Sequence, residues 1–270
     1  MWISLQQPML AVFCGSLVGF TLGLIGGGGS IIATPLLLYV VGLQPHVAIG
    51  TGAFAVSANA FTNLAGYARA KCVQWRSAIV FSLVGVGGAG LGSQLGKRVD
   101  GTHLLIVFAM LMIIVGVLML RRKDADRTDP ATAPDTGARW QSTVRGSALL
   151  VATAFVVGGL SGFFGIGGGF LIVPGLLFTS RMPMICAIGS SLLAVGAFGM
   201  TTAVTYGLSG LVDWPVAFEY VLGGYAGGLV GKMLATRLAS QKTTLSRVFA
   251  SMVFMVALYM LYRSASAIRL

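Results

Sequence analysis

Gly23-Leu24-Ile25-Gly26-Gly27-Gly28-Gly29-Ser30, followed by Ile31 to Leu43 with Pro35 inside it, interrupts one long apolar run; the same interruption returns at Gly162-Phe163-Phe164-Gly165-Ile166-Gly167-Gly168-Gly169 ahead of Pro174. Glycine in a helix interior costs roughly 1 kcal/mol against alanine, so consecutive glycines do not belong there by default. In lipid, a break in regular backbone survives only where its free N–H and C=O groups are buried in protein or line a cavity. The two breaks are therefore read as built features that mark a site.

Hydrophobic residues make up 56% of the 270-residue chain and charged residues only 9%, with a mean hydropathy of +0.88. Soluble domains carry about a quarter charged residues, so the composition points to a polytopic membrane protein. The net charge of +11 resembles a nucleic-acid signature until its carriers are located. Lys and Arg fall almost wholly between apolar segments, the distribution that membrane topology produces, and no nucleic-acid partner is expected. Cys14, Cys72 and Cys186 are odd in number and widely spaced, which offers neither a disulfide framework nor a metal pair and reads as small packing residues. The stretch Met1 to Pro8 lacks the basic region of a cleaved signal, so the first apolar segment is expected to belong to the mature protein.

Apolar segments lie near 9–25, 31–43, 46–68, 75–96 and 102–120, then 146–164, 170–180, 184–208, 214–235 and 244–261. At a constant offset of 139 residues the second set matches the first without a gap from Gly19 to Arg98. Gly19, Gly23, Gly26, Gly28, Gly29 and Pro35 match Gly158, Gly162, Gly165, Gly167, Gly168 and Pro174. Ala48-Ile49-Gly50 matches Ala187-Ile188-Gly189, and Tyr67, Trp75, Gly85, Gly88, Gly92 and Arg98 match Tyr206, Trp214, Gly224, Gly227, Gly231 and Arg237. A gapless series of glycine, proline and aromatic positions is a duplication. The division is residues 1–120 as a first transmembrane repeat, 121–145 as a basic, proline-bearing cytoplasmic linker, and 146–270 as a second repeat.

The segments flanking the first break hold about 16 and 13 residues, roughly 24 and 20 Å of helix, short of a hydrocarbon core of about 30 Å. Each pair is read as a helical hairpin, re-entrant with its glycine tip inside the membrane, against the alternative of one broken spanning helix. Loop charge arbitrates. If the pair returns to its own side the halves are inverted and basic residues divide 13 to 4, with the sparsely charged face holding Lys97, Arg98, Arg263 and Arg269; a single crossing gives 11 to 6. The first division obeys the positive-inside rule better and puts the N-terminus outside. The expected fold is all-α, with two inverted repeats, each a glycine-broken hairpin plus three transmembrane helices.

Such tips aim helix N-termini, which carry unpaired N–H groups and about half a positive charge, toward a shared space that suits an anion. Without Cβ atoms the backbone also approaches a ligand closely. The expected substrate-binding backbone is Gly26, Gly28, Gly29 and Ser30 with Gly165, Gly167, Gly168 and Gly169. The competing reading of glycine in membranes, close helix packing, is preferred for Gly85, Gly88, Gly92 and their matches. Thr51, Ser190, Ser191 and Asn59 are the side chains expected to add polar contacts, although interhelical hydrogen bonding explains Asn59 and Asn63 equally well. Glu219 is the carboxylate at membrane depth and a candidate for proton exchange, with the outer interface as its alternative. Lys232 is read as snorkelling toward the basic side. His46 and His103 are read as boundary residues, and Trp75 and Trp214 as interface anchors.

On these residues the chain resembles the TauE/SafE, or sulfite exporter, family. The motif is the duplicated glycine break ahead of a proline, each copy followed by Ala-Ile-Gly, and the resemblance covers essentially the whole length. It implies a bacterial inner-membrane transporter of sulfur-containing or organic anions such as sulfite, sulfonates and carboxylates. The first copy departs from Gly-x-Gly-Gly-Gly by having Gly27 at the variable position and Ser30 at the last glycine, which leaves the tips chemically unequal. The expected function is alternating-access transport of a small anion held between the tips, with the bilayer as the other partner, no cofactor, no metal and homo-oligomerisation left open. A passive anion channel is the first rival. An intramembrane enzyme lacks a nucleophile motif, a carboxylate pair or a metal cluster, and a scaffolding protein leaves the duplicated breaks unexplained.

Overall fold

The computed structural model describes residues 3–99, 101, 104, 107–108, 110–114, 144–165, 169–180, 184–238 and 258. All but the last two residues of the expected linker, His103, and most of the segments at 102–120 and 244–261 lie outside them. The described elements are helical: α1 (Ile3–Ile25), a 3-10 helix (Gly26–Ile32), α2 (Ala33–Tyr39), α3 (Pro45–Arg69), α4 (Trp75–Gly96), α5 (Val144–Phe164), α6 (Gly169–Ser180), α7 (Met184–Gly207) and α8 (Trp214–Leu238). Apolar windows long enough to cross a membrane occur at Pro8–Ile25, Trp75–Gly96 and Ile185–Gly207. Large apolar side chains such as Leu83, Leu222, Val156 and Met9 are well over half exposed, the surface of a protein solvated by lipid. Helix α3 matches these spans in length but reads as less apolar, because its polar residues Thr51, Ser57, Asn59 and Asn63 are buried inward.

Two expectations about the breaks change. Helix α1 has 23 residues and α5 has 21, about 35 and 32 Å, so the first member of each pair does reach across a hydrocarbon core. The polar start Gln6-Gln7-Pro8 does not end α1. Pro8 lies within it and forfeits one backbone bond near its beginning, an end effect rather than a break. The second members are short as expected: α2 has 7 residues and α6 has 12. The first glycine run, moreover, is wound as a 7-residue 3-10 helix rather than left as bare loop.

The halves pack through each other. Helix α1 lies along α8 with Gly15, Gly19 and Gly23 against the backbone of Tyr220, Gly224 and Gly228, and α4 lies along α5 with Gly88, Gly92 and Gly96 against Phe155, Gly159 and Phe163. A Cβ at any of these positions would strike main-chain atoms. Most of these contacts recur offset by 139 residues at both ends: Gly158 on Gly85 repeats Gly19 on Gly224, Gly162 on Ala89 repeats Gly23 on Gly228, and Gly227 on Ser16 repeats Gly88 on Phe155. The glycines expected to serve helix packing do so.

The same reciprocity governs the loops and the centre. Thr51 Oγ1 accepts the Asp213 N–H at 2.9 Å, and its twin Ser190 Oγ accepts the N–H of Gln74, the twin of Asp213, also at 2.9 Å. The turns they hold share a left-handed residue, Gly210 (φ 70°) in one and Lys71 (φ 55°) in the other. At the centre Ser57 Oγ donates to the carbonyl of its own twin, Gly196, at 2.6 Å. Along α3 and α7 the neighbours run Gly50 with Tyr206, Ala53 with Gly199, Ser57 with Gly196 and Tyr67 with Gly189, so these two helices pass in opposite senses.

Alanine scanning of α4 should separate contact from propensity. Gly87 has open space where a Cβ would stand, so Gly87→Ala is expected to raise thermal stability in detergent by up to about 1 kcal/mol. Gly88→Ala, facing the Phe155 carbonyl, should lower it by about 1–3 kcal/mol. Thr51→Val, which keeps shape but leaves the Asp213 amide without its acceptor, should cost about 1–3 kcal/mol in the same melts, while Thr51→Ser should cost little.

Candidate functional site

Helix α1 ends where Gly26 turns into the left-handed region at φ 69°, and α5 ends where its twin Gly165 does so at φ 66°. Space enforces the same choice. A Cβ on Gly26 would meet Ile188 of α7, and one on Gly165 would meet Ile49 of α3, the twin of Ile188. Each Ala-Ile-Gly triplet thus seats the glycine break of the other half, which is why break and triplet occur together in both copies.

From Gly26 the chain winds into the 3-10 helix, where an N–H bonds the carbonyl three residues back. The amides of Gly29 and Ser30 are therefore directed along the run, and those left at its start belong to Gly26 and Gly27. This differs from the expectation that Gly28, Gly29 and Ser30 offer open amides. The Gly27 N–H donates to Ser191 Oγ at 3.3 Å, and that hydroxyl donates to the Ile188 carbonyl at 2.8 Å. Ser30 Oγ donates to the Gly27 carbonyl at 2.9 Å. Tyr67 OH, fully buried, donates to the Gly23 carbonyl at 2.8 Å and fixes the last turn of α1.

The two breaks meet. Gly27 and Gly169 are in backbone-to-backbone contact, and a Cβ on either would overlap the main chain of the other. The sequence departures in the first copy find their reason here: position 27 is glycine because Gly169 lies on it, and Ser30, the twin of Gly169, binds the same Gly27 carbonyl from its own side. Gly167 and Gly168 lie outside the described residues. The breaks are also held unequally. Tyr206, twin of Tyr67, has its buried hydroxyl without a partner, and the twin of Ser191 is Gly52, which has no hydroxyl to offer.

The remaining expected residues do not gather at the breaks. Thr51 and Ser190 pin opposite inter-helix loops, each still able to donate its own proton. Asn59 is fully buried against Gly224 of α8, with neither its Oδ1 nor its Nδ2 hydrogen-bonded. Glu219 is half-buried on α8, next to the Tyr220 that Gly15 touches. The Lys232 ammonium reaches Gly66 near the C-terminal end of α3, where helix carbonyls favour a cation. His46 stacks on Tyr206, with ring centroids 6.4 Å apart, and Lys97 donates to the Thr205 carbonyl and to Ser209 at 3.1 and 2.9 Å. Trp75 and Trp214 are each half exposed at the starts of α4 and α8, as interface anchors would be. Cys14, Cys72 and Cys186 are free thiols.

Sequence reasoning passed over Thr34 and Tyr220. Thr34 Oγ1 is buried and without a partner, and Tyr220 OH donates to the Ala33 carbonyl at 3.4 Å. Their signal was the comparison of twins, since each is polar where its counterpart, Val173 or Phe81, is apolar. A groove of about 320 Å³ between α1 and α8, lined by Phe13, Leu17, Phe20 and Val230, is apolar and on the outer surface. Its lining suits a lipid chain and not an anion, so the breaks and not this groove are the candidate site. Among the described residues no group of His, Cys, Asp and Glu could hold a metal ion.

The description "Sulfite exporter TauE/SafE" matches residues 11–260. The chain is 52% identical over 263 residues to a probable membrane transporter protein of Xylella fastidiosa (strain 9a5c), covering 97% of this chain and 98% of that one. It is 26% identical to the probable membrane transporter protein YunE of Bacillus subtilis (strain 168), covering 94% and 97%. It is 25% identical to a probable membrane transporter protein of Methanocaldococcus jannaschii, covering 79% and 74%. No solved structure matches. With its apolar helices and paired glycine breaks, the chain belongs to the TauE/SafE sulfite exporter family: it is a multi-pass membrane protein of a transporter family, not an enzyme.

Proposed function

We propose that the chain is a secondary transporter that carries a small sulfur-containing or organic anion across the inner membrane by alternating access, with the meeting point of the glycine breaks as its centre. The contact of Gly27 with Gly169 carries this reading. It places two bare backbone segments, one from each half, face to face inside the protein, where rocking one half against the other would part them and expose amide groups to a ligand. Gly26 supplies backbone from one side, joined by Gly28, Gly29 and Ser30 when the 3-10 helix opens, and Gly165, Gly167, Gly168 and Gly169 supply it from the other. Ser191 hydrogen-bonds the Gly27 amide of the first break. Glu219 is the carboxylate available for proton exchange.

Helix directions support an inverted repeat. Helix α3 and its twin α7 pass in opposite senses, as they would if the operation relating the halves reversed direction through the bilayer. Helix α1 runs in the same sense as α8, α8 returns from α7 across a short connection, and α7 opposes α3. Thus α1 and α3 run the same way, and the break with α2 must bring the chain back to the side on which α1 began. That is the hairpin with which the 13 to 4 division of basic residues agrees.

Two measurements test this. In a thermal-shift screen against sulfite, thiosulfate, sulfoacetate, taurine and short carboxylates, at least one anion should stabilise the purified protein by about 2.7 kcal/mol at a hundred times its dissociation constant. Gly169→Val, whose side chain would overlap Gly27, should abolish that response; a panel without effect rejects the transport reading. Reporter fusions at residue 130 and at the N-terminus should report cytoplasmic and periplasmic locations respectively, and finding both on one side rejects the inverted arrangement.

A further inference from the structure

The duplication builds two equivalent side-chain clusters between the halves, and their chemistry differs. In one, the Phe198 side chain of α7 lies over Gly85 of α4 and stacks on Phe81, with ring centroids 6.2 Å apart. Phe81 also flanks Gly175 of α6. In the other, every one of these residues is replaced by its twin. Asn59 of α3 lies over Gly224 of α8, Tyr220 stands where Phe81 stood, and Thr34 of α2 takes the place of Val173. Tyr220 reaches the Ala33 carbonyl at 3.4 Å, beside Thr34, while Gly224, one turn further along α8, carries Asn59. Thr34 in turn faces Gly52, two turns from Asn59 on the same side of α3. Three polar side chains thus stand along the α2–α3–α8 seam, where the twin seam carries two stacked phenyl rings.

Apart from the Tyr220 bond, this polarity makes no hydrogen bonds among the described residues. Thr34, Asn59 and Tyr220 are all at most 1% exposed. Thr34 Oγ1 and both polar atoms of Asn59 lack hydrogen-bond partners, and the Tyr220 bond is long. Burying such groups unpaired destabilises a fold, and at the twin positions Phe81, Phe198 and Val173 are buried without that cost. We propose that the anion site is one-sided: a small monovalent oxyanion binds at the α2–α3–α8 seam against Thr34, Asn59 and Tyr220, while the Phe81–Phe198 seam is its sealed counterpart.

The chemistry of the three groups defines the ligand. Asn59 Nδ2 and Thr34 donate to oxygen, Tyr220 joins them on releasing the Ala33 carbonyl, and Asn59 Oδ1 accepts, which matches an oxyanion that keeps one hydroxyl, such as hydrogen sulfite. With no cation among the three, a doubly charged oxyanion would be left undercompensated. This rests on the transport reading above and places the resting ligand beside α2, next to the first break, with the Gly27–Gly169 contact as the point where the halves part.

The test uses the full-length purified protein with sulfite and sulfate as probes, and thermal melts with and without each anion. Asn59→Leu should raise the melting temperature of the anion-free protein by about 2–4 °C, because an unpaired carboxamide is removed, and should weaken sulfite binding at least tenfold. Tyr220→Phe, a smaller change, should weaken sulfite binding about three- to tenfold while the protein stays folded. Phe198→Leu in the sealed seam should lower the melting temperature and leave sulfite affinity unchanged. Sulfate should bind far more weakly than sulfite. Unchanged sulfite affinity in Asn59→Leu and Tyr220→Phe overturns the one-sided site even if Gly169→Val still abolishes binding. Equal loss from Phe198→Leu also overturns it, as does sulfate binding equal to that of sulfite. The absence of any anion response in the unaltered protein rejects the transport reading and this site together.

Discussion

The close approach of backbone to backbone between the halves is the constraint on which this structure depends. In lipid, helices gain nothing from hiding apolar side chains from one another, so association rests on dispersion contacts and on polar contacts between surfaces that fit. Gly19 on Gly224 and Gly158 on Gly85 bring main chains together where any side chain would hold them apart. These contacts follow the helices over several turns, and they fix the level at which each glycine break sits. The breaks meet because α1 and α5 are registered by their glycines against helices of the opposite half.

Two equal halves would build two equal sites, and the differences between twins are therefore informative. Tyr67 and Ser191 tie down the first break, whereas Tyr206 and Gly52 form no such ties to the second. Likewise Phe81 and Phe198 stack in one half-to-half seam where Tyr220 and Asn59 stand in the other. In both cases the backbone geometry is shared while the side-chain chemistry has diverged, as expected if symmetry serves the motion and asymmetry serves recognition.

Much of the architecture was legible in the residues. The glycine runs, the prolines after them and the Ala-Ile-Gly triplets revealed the duplication, and the structure explains why they travel together: Ile49 and Ile188 seat the breaks of the opposite half. The identity of the packing partners was not legible. A glycine on an apolar helix announces a close neighbour but not which one, so nothing in Gly19 itself points to Gly224. The length of α1 was misjudged because a proline and two glutamines look like an end, although near a helix start they remove only one bond. Winding of Gly26 to Ile32 into a 3-10 helix was hidden for another reason: glycine's weak local preference leaves its conformation to surroundings such as Ile188 and Ser191. Thr34 and Tyr220 were overlooked because, taken singly, a threonine or tyrosine in a membrane helix is unremarkable; only the apolar twin exposes it.

The reciprocal pairing of α1 with α8 and of α4 with α5 bears on how the chain is made. Synthesis delivers the N-terminal half to the bilayer first, yet the helix that α1 requires is encoded far downstream, beyond α7. Until then the newly inserted segments present grooved faces of glycine with only lipid to fill them, and neither half is a self-sufficient folding unit. Stable packing of α1 therefore waits until α8 has been made, and a chain truncated before α8 leaves the glycine face of α1 unpaired.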